Sequence, residues 1–320
     1  MSGVARNRLM AYRARRALGY SFSCRTPEPT SRRCTMGAHR QPGPDDPTAG
    51  AMAGKTRFDD IYDRPDPRAY FRRLAPYDYE IPHHAQGVFR RTLADRRRAA
   101  PPGPDGDPTV LDLCCSYGLN AALLNHDLTL ADLYTHYAGE ATTDLTTSEL
   151  VDLDKEFYAA RRRPDAVRLV GVDTAANATA YALAVGLLDE AYAENLEHVP
   201  PSPGLARAMA GVGLITVTGG IGYVTHRTFD ALLGAARLPL WVDAFVLRTV
   251  PYDRIARSLA AHGLVTTTDP DRLYPQRLFT GPEEQDDAVA RVRAAGDDTT
   301  GLESAGRYYT RLYASRPGGR

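Results

Sequence analysis

The stretch Thr109–Asn125, TVLDLCCSYGLNAALLN, constrains the fold more than any other part of the chain. It opens with a short apolar run, β-branched at its start and preceded by the turn-rich PPGPDGDP, which predicts a buried parallel strand. Small residues Cys114, Cys115, Ser116 and Gly118 break the run, and Leu119–Leu124 resumes with helical spacing. Strand, small-residue turn and helix place free backbone N–H groups at the carboxyl edge of a sheet. An anionic ligand group is favoured there. Asp112, near the strand end, adds an acceptor for a positive or donor-rich group.

With 320 residues the chain can form one large α/β domain with a tail, or two small domains. Its 39 basic and 39 acidic residues cancel, so bulk charge provides no attraction to nucleic acid or anionic membrane. Cys24, Cys34, Cys114 and Cys115 show neither a disulfide framework nor metal-ligand spacing, and no metal is expected. No apolar run approaches the roughly 18 residues that span a bilayer. These features predict a soluble, reduced, cytoplasmic protein with no membrane or nucleic-acid partner, and assign no oligomeric state.

Residues 1–55 carry nine Arg against three acids, with Ser, Pro and Gly clusters. A segment this poor in apolar residues is expected to be disordered, or to precede the true start at Met36 or Met52. From 56 to 104 the texture turns aromatic. Asp66-Pro67 opens a short helix bearing Tyr70, Phe71 and Leu74, and Pro82 begins a second helix running to about Arg98. Tyr77, Tyr79, His83 and His84 lie between or at the head of these helices. The segment reads as a helical pair packed on the sheet and as a lid over the pocket at its edge.

An insertion at about 127–165 holds LTLADLYTHY and a helix capped by Thr147 or Ser148, with Arg161–Arg163 at its solvated end. Val167–Asp173 is a second buried strand ending in an acid, followed by a helix over 175–187. A carboxylate at that position is suited to a ribose diol, because it accepts both hydroxyl protons. Residues 191–196 predict a short third strand ending at Glu194-Asn195, and Gly213–Val217 a fourth, leading into TGGIGYVTHRTFDALL. Leu238–Val250 predicts a fifth. Two late strands are expected near 264–268 and 276–280, and an alternating last strand, 307–314, is expected at a sheet edge.

VTGGIGYV resembles the phosphate turn of short-chain dehydrogenases. However, at least three strands are predicted before it, and neither Lys55 nor Lys155 follows a Tyr at the spacing those enzymes use. The ordered series VLDLCCSYG, VGVD, AENLE, LITVTGG and LWVDAFVL, with an antiparallel end, resembles a class I S-adenosylmethionine-dependent methyltransferase over about residues 105–316. The resemblance implies a doubly wound α/β fold: a mostly parallel seven-stranded sheet with an antiparallel last strand, the Rossmann-like methyltransferase fold. The 56–104 segment would be its helical N-terminal lid and 105–320 its cofactor-binding domain.

The cofactor implied is S-adenosylmethionine. Asp112, Cys114, Cys115, Ser116, Tyr117 and Gly118 would line its methionine side, and Asp173 with Thr174 its ribose. Asn195 and Leu196 would border adenine, and Thr218, Gly219 and Gly220 would lie below the sulfonium. Cys114 and Ser116 stand where the family commonly has glycine. Tyr79, His83, His84 and Tyr223 are candidate catalytic residues, and His226 is a further proton-transfer candidate. Adjacent cysteines also admit covalent catalysis, though small packing residues are the simpler reading. No Asn-Pro-Pro-Tyr-like tetrad follows the fourth strand, which points to a small-molecule acceptor. Use of the cofactor's aminocarboxypropyl arm, by transfer or cyclisation, and a non-catalytic binding module are the alternatives.

Overall fold

The structure is a computed structural model that describes residues 54–56, 58–99, 107–237 and 239–318. The expectations for residues 1–53, with Met36, Met52, Cys24 and Cys34, lie outside the described residues. The chain enters through α1 (Asp59–Tyr62), α2 (Arg68–Leu74) and the long α3 (Ile81–Ala99). Then come β1 (Thr109–Leu113), α4 (Leu119–Asn125), α5 (Leu130–Ala138), α6 (Glu140–Thr143), α7 (Thr147–Ala159), β2 (Leu169–Asp173), α8 (Ala176–Ala184) and β3 (Glu190–Ala193). The second half holds α9 (Pro203–Met209), β4 (Val212–Thr218), α10 (His226–Ala235), β5 (Trp241–Leu247), α11 (Asp253–Ala261), β6 (Leu264–Leu278), α12 (Pro282–Ala294) and β7 (Arg307–Pro317).

The seven strands form one sheet in the order β3-β2-β1-β4-β5-β7-β6, with β7 antiparallel to both neighbours. This is the predicted doubly wound, mostly parallel sheet with an antiparallel last strand. All residues of β1 and β4 are buried, as strands covered by helices on both faces must be. Side chains alternate between two cores. Val110 and Leu214 pack with Phe89 and Leu123 on one face; Leu111, Leu113, Ile215 and Val217 pack with Phe229 and Leu232 on the other. The alternation puts Asp112 and Thr216, which pair in register, on the face that α3 and α4 cover.

Four expectations need correction. The two late strands are one strand, β6, whose pairing slips between Thr268 and Leu273 and between Pro275 and Leu278. β7 is not at the edge: it lies between β5 and β6, and β6, largely exposed over its first two-thirds, is the edge. The third strand stops at Ala193, because Asn195 turns the chain by accepting the Glu197 N–H (3.2 Å). The cap of α7 is Thr146, in a reciprocal capping box with Glu149. Helix α12 has no counterpart among the sequence expectations, although Pro282, Glu283 and Glu284 at its start and Arg291 and Arg293 at its end fit the helix dipole.

In the Arg run after α7, Arg162 is exposed, as expected of a solvated helix end, while its neighbours are paired within the molecule. Arg161 donates to the Phe157 carbonyl (2.8 Å) and lies over its ring, while Arg163 pairs with Asp165 and Asp127. No helix among the described residues is long and apolar enough to cross a membrane, and no cluster of His, Cys, Asp or Glu among them could hold a metal ion.

Candidate functional site

The carboxyl ends of β1, β2 and β4 come level, Leu113 opposite Val172 and Val217, and the turn Cys114–Gly118 rises from their centre. Its backbone is left-handed at three alternate residues, with φ of +58° at Cys114, +47° at Ser116 and +77° at Gly118. That region favours glycine and costs another residue about 1–3 kcal/mol. The turn thus keeps the path of a glycine-rich loop while carrying side chains at two of its glycine-like positions. A neighbour makes the room: a Cβ on Gly220 would lie 2.6 Å from Cys114 Sγ. Cys115 points into the core, against Gly171 and Leu188. Burial, and then the nearby Asp173 and Asp112, push both thiols well up, so no thiolate nucleophile is formed.

Asp112 is fully buried. Its Oδ1 accepts from Asn120 Nδ2 (2.9 Å) and Thr216 Oγ1 (3.1 Å), and its Oδ2 has no partner. Burial raises its carboxyl to about 7 despite those two hydrogen bonds. Asn120 also donates to Thr218 Oγ1 (2.9 Å), tying β1 to the end of β4. Asp173 accepts from the N–H of Ser116 (2.8 Å) and of Ala175 (3.0 Å), so it clamps the β1 turn to the end of β2. Burial raises its carboxyl too, against those backbone bonds. Each Asp173 oxygen keeps a lone pair for a further donor. The Ser116 hydroxyl, like Asp112 Oδ2, has no partner.

The remaining residues divide. Tyr117 turns away from the strand ends: its hydroxyl accepts from the Arg64 N–H (2.9 Å) and points its proton at the carbonyls of Ile61 and Arg64 (both 3.0 Å). It therefore fastens the N-terminal segment to the turn. Gly118 abuts Ala182 and Leu187, Thr174 and Asn195 are exposed, and Leu196 is buried in the core. Gly219, with φ of +72°, lets Tyr79 come close: the Tyr79 hydroxyl lies 3.2 Å from where a Cβ would stand. Burial holds that phenol well above its ordinary range, so it stays protonated. The Tyr62 ring packs edge-on against Tyr70, which packs edge-on against Tyr79, and Lys55 Nζ lies 5.8 Å from the centroid of the Tyr223 ring.

His83 is exposed at the head of α3, and His84 faces Glu80 and Tyr274. Among the described contacts, neither reaches the turn. His226 opens α10 beside Arg254, Arg257 and Ser258. A surface cleft of about 540 Å³, lined by Arg64, Arg68, Arg72 and Asp144 among others, includes none of the predicted site residues.

Sequence reasoning missed Asn120, Thr216, Tyr62, Lys55 and Gln276. Asn120 had a signal, being one of only two polar residues, with Asn125, in an otherwise apolar helix. Thr216 had another: it shares the face of Asp112 once β1 and β4 are adjacent. Gln276 had none, because the slipped register of β6 hides its direction.

No known family profile and no curated protein matches the chain. Solved structures do. The plantazolicin methyltransferase BamL, in complex with a triazolic desmethylPZN analog and SAH, is 10% identical over 85% of this chain and 98% of its own, with a TM-score of 0.41. Magnesium protoporphyrin IX methyltransferase from Synechocystis PCC 6803, with bound SAM, is 13% identical over 73% and 80%, at 0.35. The cyclase SpnF is 11% identical over 72% and 81%, at 0.35. The strand order of the sheet itself, with antiparallel β7 between β5 and β6, gives this chain the class I S-adenosylmethionine-dependent methyltransferase fold.

Proposed function

We propose that this protein uses S-adenosylmethionine to methylate a small-molecule acceptor, as a cytoplasmic enzyme. One observation carries the reading: a buried acid with an unpartnered oxygen, Asp112, stands beside a left-handed turn, with a second acid, Asp173, at the end of the next strand. This donor set fits the cofactor. Asp112 Oδ2 suits an ammonium group, the Ser116 hydroxyl suits a carboxylate, and the spare lone pairs of Asp173 suit a vicinal diol. When bound, S-adenosylmethionine supplies an electrophilic methyl group on a sulfonium.

The chain's own residues then orient the acceptor and exclude water. Tyr79 meets Gly219 at the end of β4, Tyr223 lies in the turn that follows, and Tyr62 reaches Tyr79 through the Tyr70 ring; the described residues between 58 and 99 serve as a lid over the strand ends. In-line displacement gains much of its acceleration from such positioning. Tyr79, protonated, donates a hydrogen bond rather than taking a proton. Lys55, lowered to about 7 by burial and then by Arg277, and 5.8 Å from the centroid of the Tyr223 ring, is the amine we assign to take one.

Titration calorimetry with S-adenosylmethionine and S-adenosylhomocysteine tests the reading. Binding of both is expected, with Asp173→Ala weakening it at least tenfold, about 1.4 kcal/mol. A folded protein that binds neither would overturn the cofactor assignment. Product analysis then fixes the chemistry: S-adenosylhomocysteine signals methyl transfer, and methylthioadenosine signals attack on the aminocarboxypropyl arm.

A further inference from the structure

Near its end, β6 slips register between Pro275 and Leu278. Consecutive strand residues normally face opposite ways, and an irregularity of this kind re-aims them. Here Gln276 and Arg277 are both buried, at 1% and 2% exposure. Arg277 is fully engaged, donating to Glu284 (2.5 and 3.0 Å) and to the Leu278 carbonyl. The Gln276 side chain is the opposite case, with no partner at Nε2 or at Oε1. Its backbone is nevertheless fixed, because its carbonyl accepts the Glu80 N–H (2.8 Å).

The same arrangement sets where the amide points. Gln276 Nε2 lies 3.5 Å, and Tyr79 Oη 3.2 Å, from the place a Gly219 side chain would occupy. A carboxamide and a phenol therefore converge beside Gly219, just past the end of β4. A buried amide with both ends open destabilises the free protein, and native structures rarely keep one without a use.

We propose that Gln276 determines substrate specificity, its amide pairing edge to edge with a planar acceptor that presents an N–H beside a C=O: a lactam, imide or primary carboxamide. Such an edge satisfies both ends of the side chain at once, Nε2 donating to the ligand carbonyl and Oε1 accepting the ligand N–H. A carboxylate offers acceptors only and would leave Oε1 open. The Tyr79 ring beside the amide suits a flat molecule, and its hydroxyl supplies a third hydrogen bond. The role as a substrate determinant rests on the cofactor reading above; the pairing itself can be measured apart from it.

The test titrates the full chain, saturated with S-adenosylhomocysteine, with α-pyridone and with N-methyl-α-pyridone by ligand-observed NMR. Wild type is expected to bind α-pyridone at least tenfold more tightly than the N-methylated compound. Gln276→Leu should lose that binding, hold S-adenosylhomocysteine within about twofold of wild type, and melt about 2 °C or more higher, since it removes an unpaired buried amide. Gln276→Glu, which presents acceptors only, should also lose α-pyridone, and it serves if the Leu variant does not fold.

Four results overturn the proposal: no α-pyridone binding by a wild type that binds S-adenosylhomocysteine, equal binding by the variants, a lower melting temperature for Gln276→Leu, or loss of S-adenosylhomocysteine along with α-pyridone. If wild type fails to bind S-adenosylhomocysteine, the cofactor reading falls, and the α-pyridone titration without it still decides Gln276.

Discussion

Asp154 on α7 and Asp112 on β1 are equally shut off from solvent, yet their surroundings treat them differently. Asp154 accepts from the hydroxyls of Tyr137 and Tyr181 (both 2.5 Å) and from His136 Nε2 (2.6 Å), and Tyr158 extends the set through Tyr137 (2.8 Å). Both its oxygens are occupied, and the donors come from α5 and α8, so the carboxylate staples the 127–165 helices to the helix after β2. Asp112 has donors at one oxygen only, and its second oxygen, equally buried, has nothing attached. A buried acid that is fully satisfied maintains the fold. One left half-satisfied beside a strained turn reserves its capacity for a ligand, at a cost to the free protein.

The largest expected effect breaks the structural member of this pair. Asp154→Ala removes the acceptor for three donors: the Tyr181 phenol and the His136 imidazole lose the partner they have here, and Tyr137 keeps only Tyr158. Urea unfolding should show a loss of about 3 kcal/mol or more, with S-adenosylhomocysteine affinity unchanged within about twofold. A loss below about 1 kcal/mol, or a tenfold fall in affinity, would mean that Asp154 belongs to the site rather than to the scaffold.

The second prediction concerns Asp112 and has a definite sign. Its carboxyl sits at about 7 in the folded chain against an ordinary 3.8, raised by burial. Across that window the folded state holds a proton that the unfolded state has released, so wild-type stability falls as pH rises. Asp112→Asn cannot ionise, so its stability relative to wild type should improve between pH 3.8 and about 7, by on the order of 4 kcal/mol. S-adenosylhomocysteine affinity should move the other way: it should rise in wild type as Asp112 ionises, and stay weak and flat in the variant. If the two proteins keep a constant stability difference across the range, Asp112 titrates as an ordinary carboxylate and the contrast with Asp154 disappears.

The amino-acid sequence carries one side of this contrast plainly and the other hardly at all. Both acids of the candidate site, Asp112 and Asp173, are marked by standing at or near the ends of apolar runs before small-residue turns, and the doubly wound sheet is implied by the family resemblance that the succession of such ends carries. The network around Asp154 leaves no trace, because Asp154 and its partners lie on three helices whose mutual angles no periodicity encodes. β6 reads as two strands because its exposed middle, with Asp269, Pro270 and Asp271, looks like a loop. An edge strand tolerates such residues, since one side of its ladder faces solvent. The same irregularity conceals Gln276. The departures from glycine at Cys114 and Ser116 are visible, but not that the backbone holds its left-handed course regardless, with Gly220 yielding the space.

That last point gives the smallest and sharpest test. Ser116 donates its backbone N–H to Asp173 (2.8 Å), and this bond survives any side-chain change. Its left-handed φ of +47° costs about 1–2 kcal/mol for a residue with a Cβ, while glycine adds about 0.5–1 kcal/mol of backbone entropy to the unfolded chain. Ser116→Gly should therefore stabilise the free protein by about 0.5 kcal/mol, whereas Ser116→Ala, which keeps the Cβ, should leave the strain in place. Both variants lack the unpartnered hydroxyl, so both should weaken S-adenosylhomocysteine binding by the same factor if that hydroxyl meets the ligand. Comparing the two separates the functions of one residue. A stabilised Gly variant with affinity equal to that of the Ala variant assigns the strain to the backbone and the contact to the hydroxyl. A destabilised Gly variant would show that the turn is rigid because of its side chains, and would remove strain from the account of why this loop is held ready.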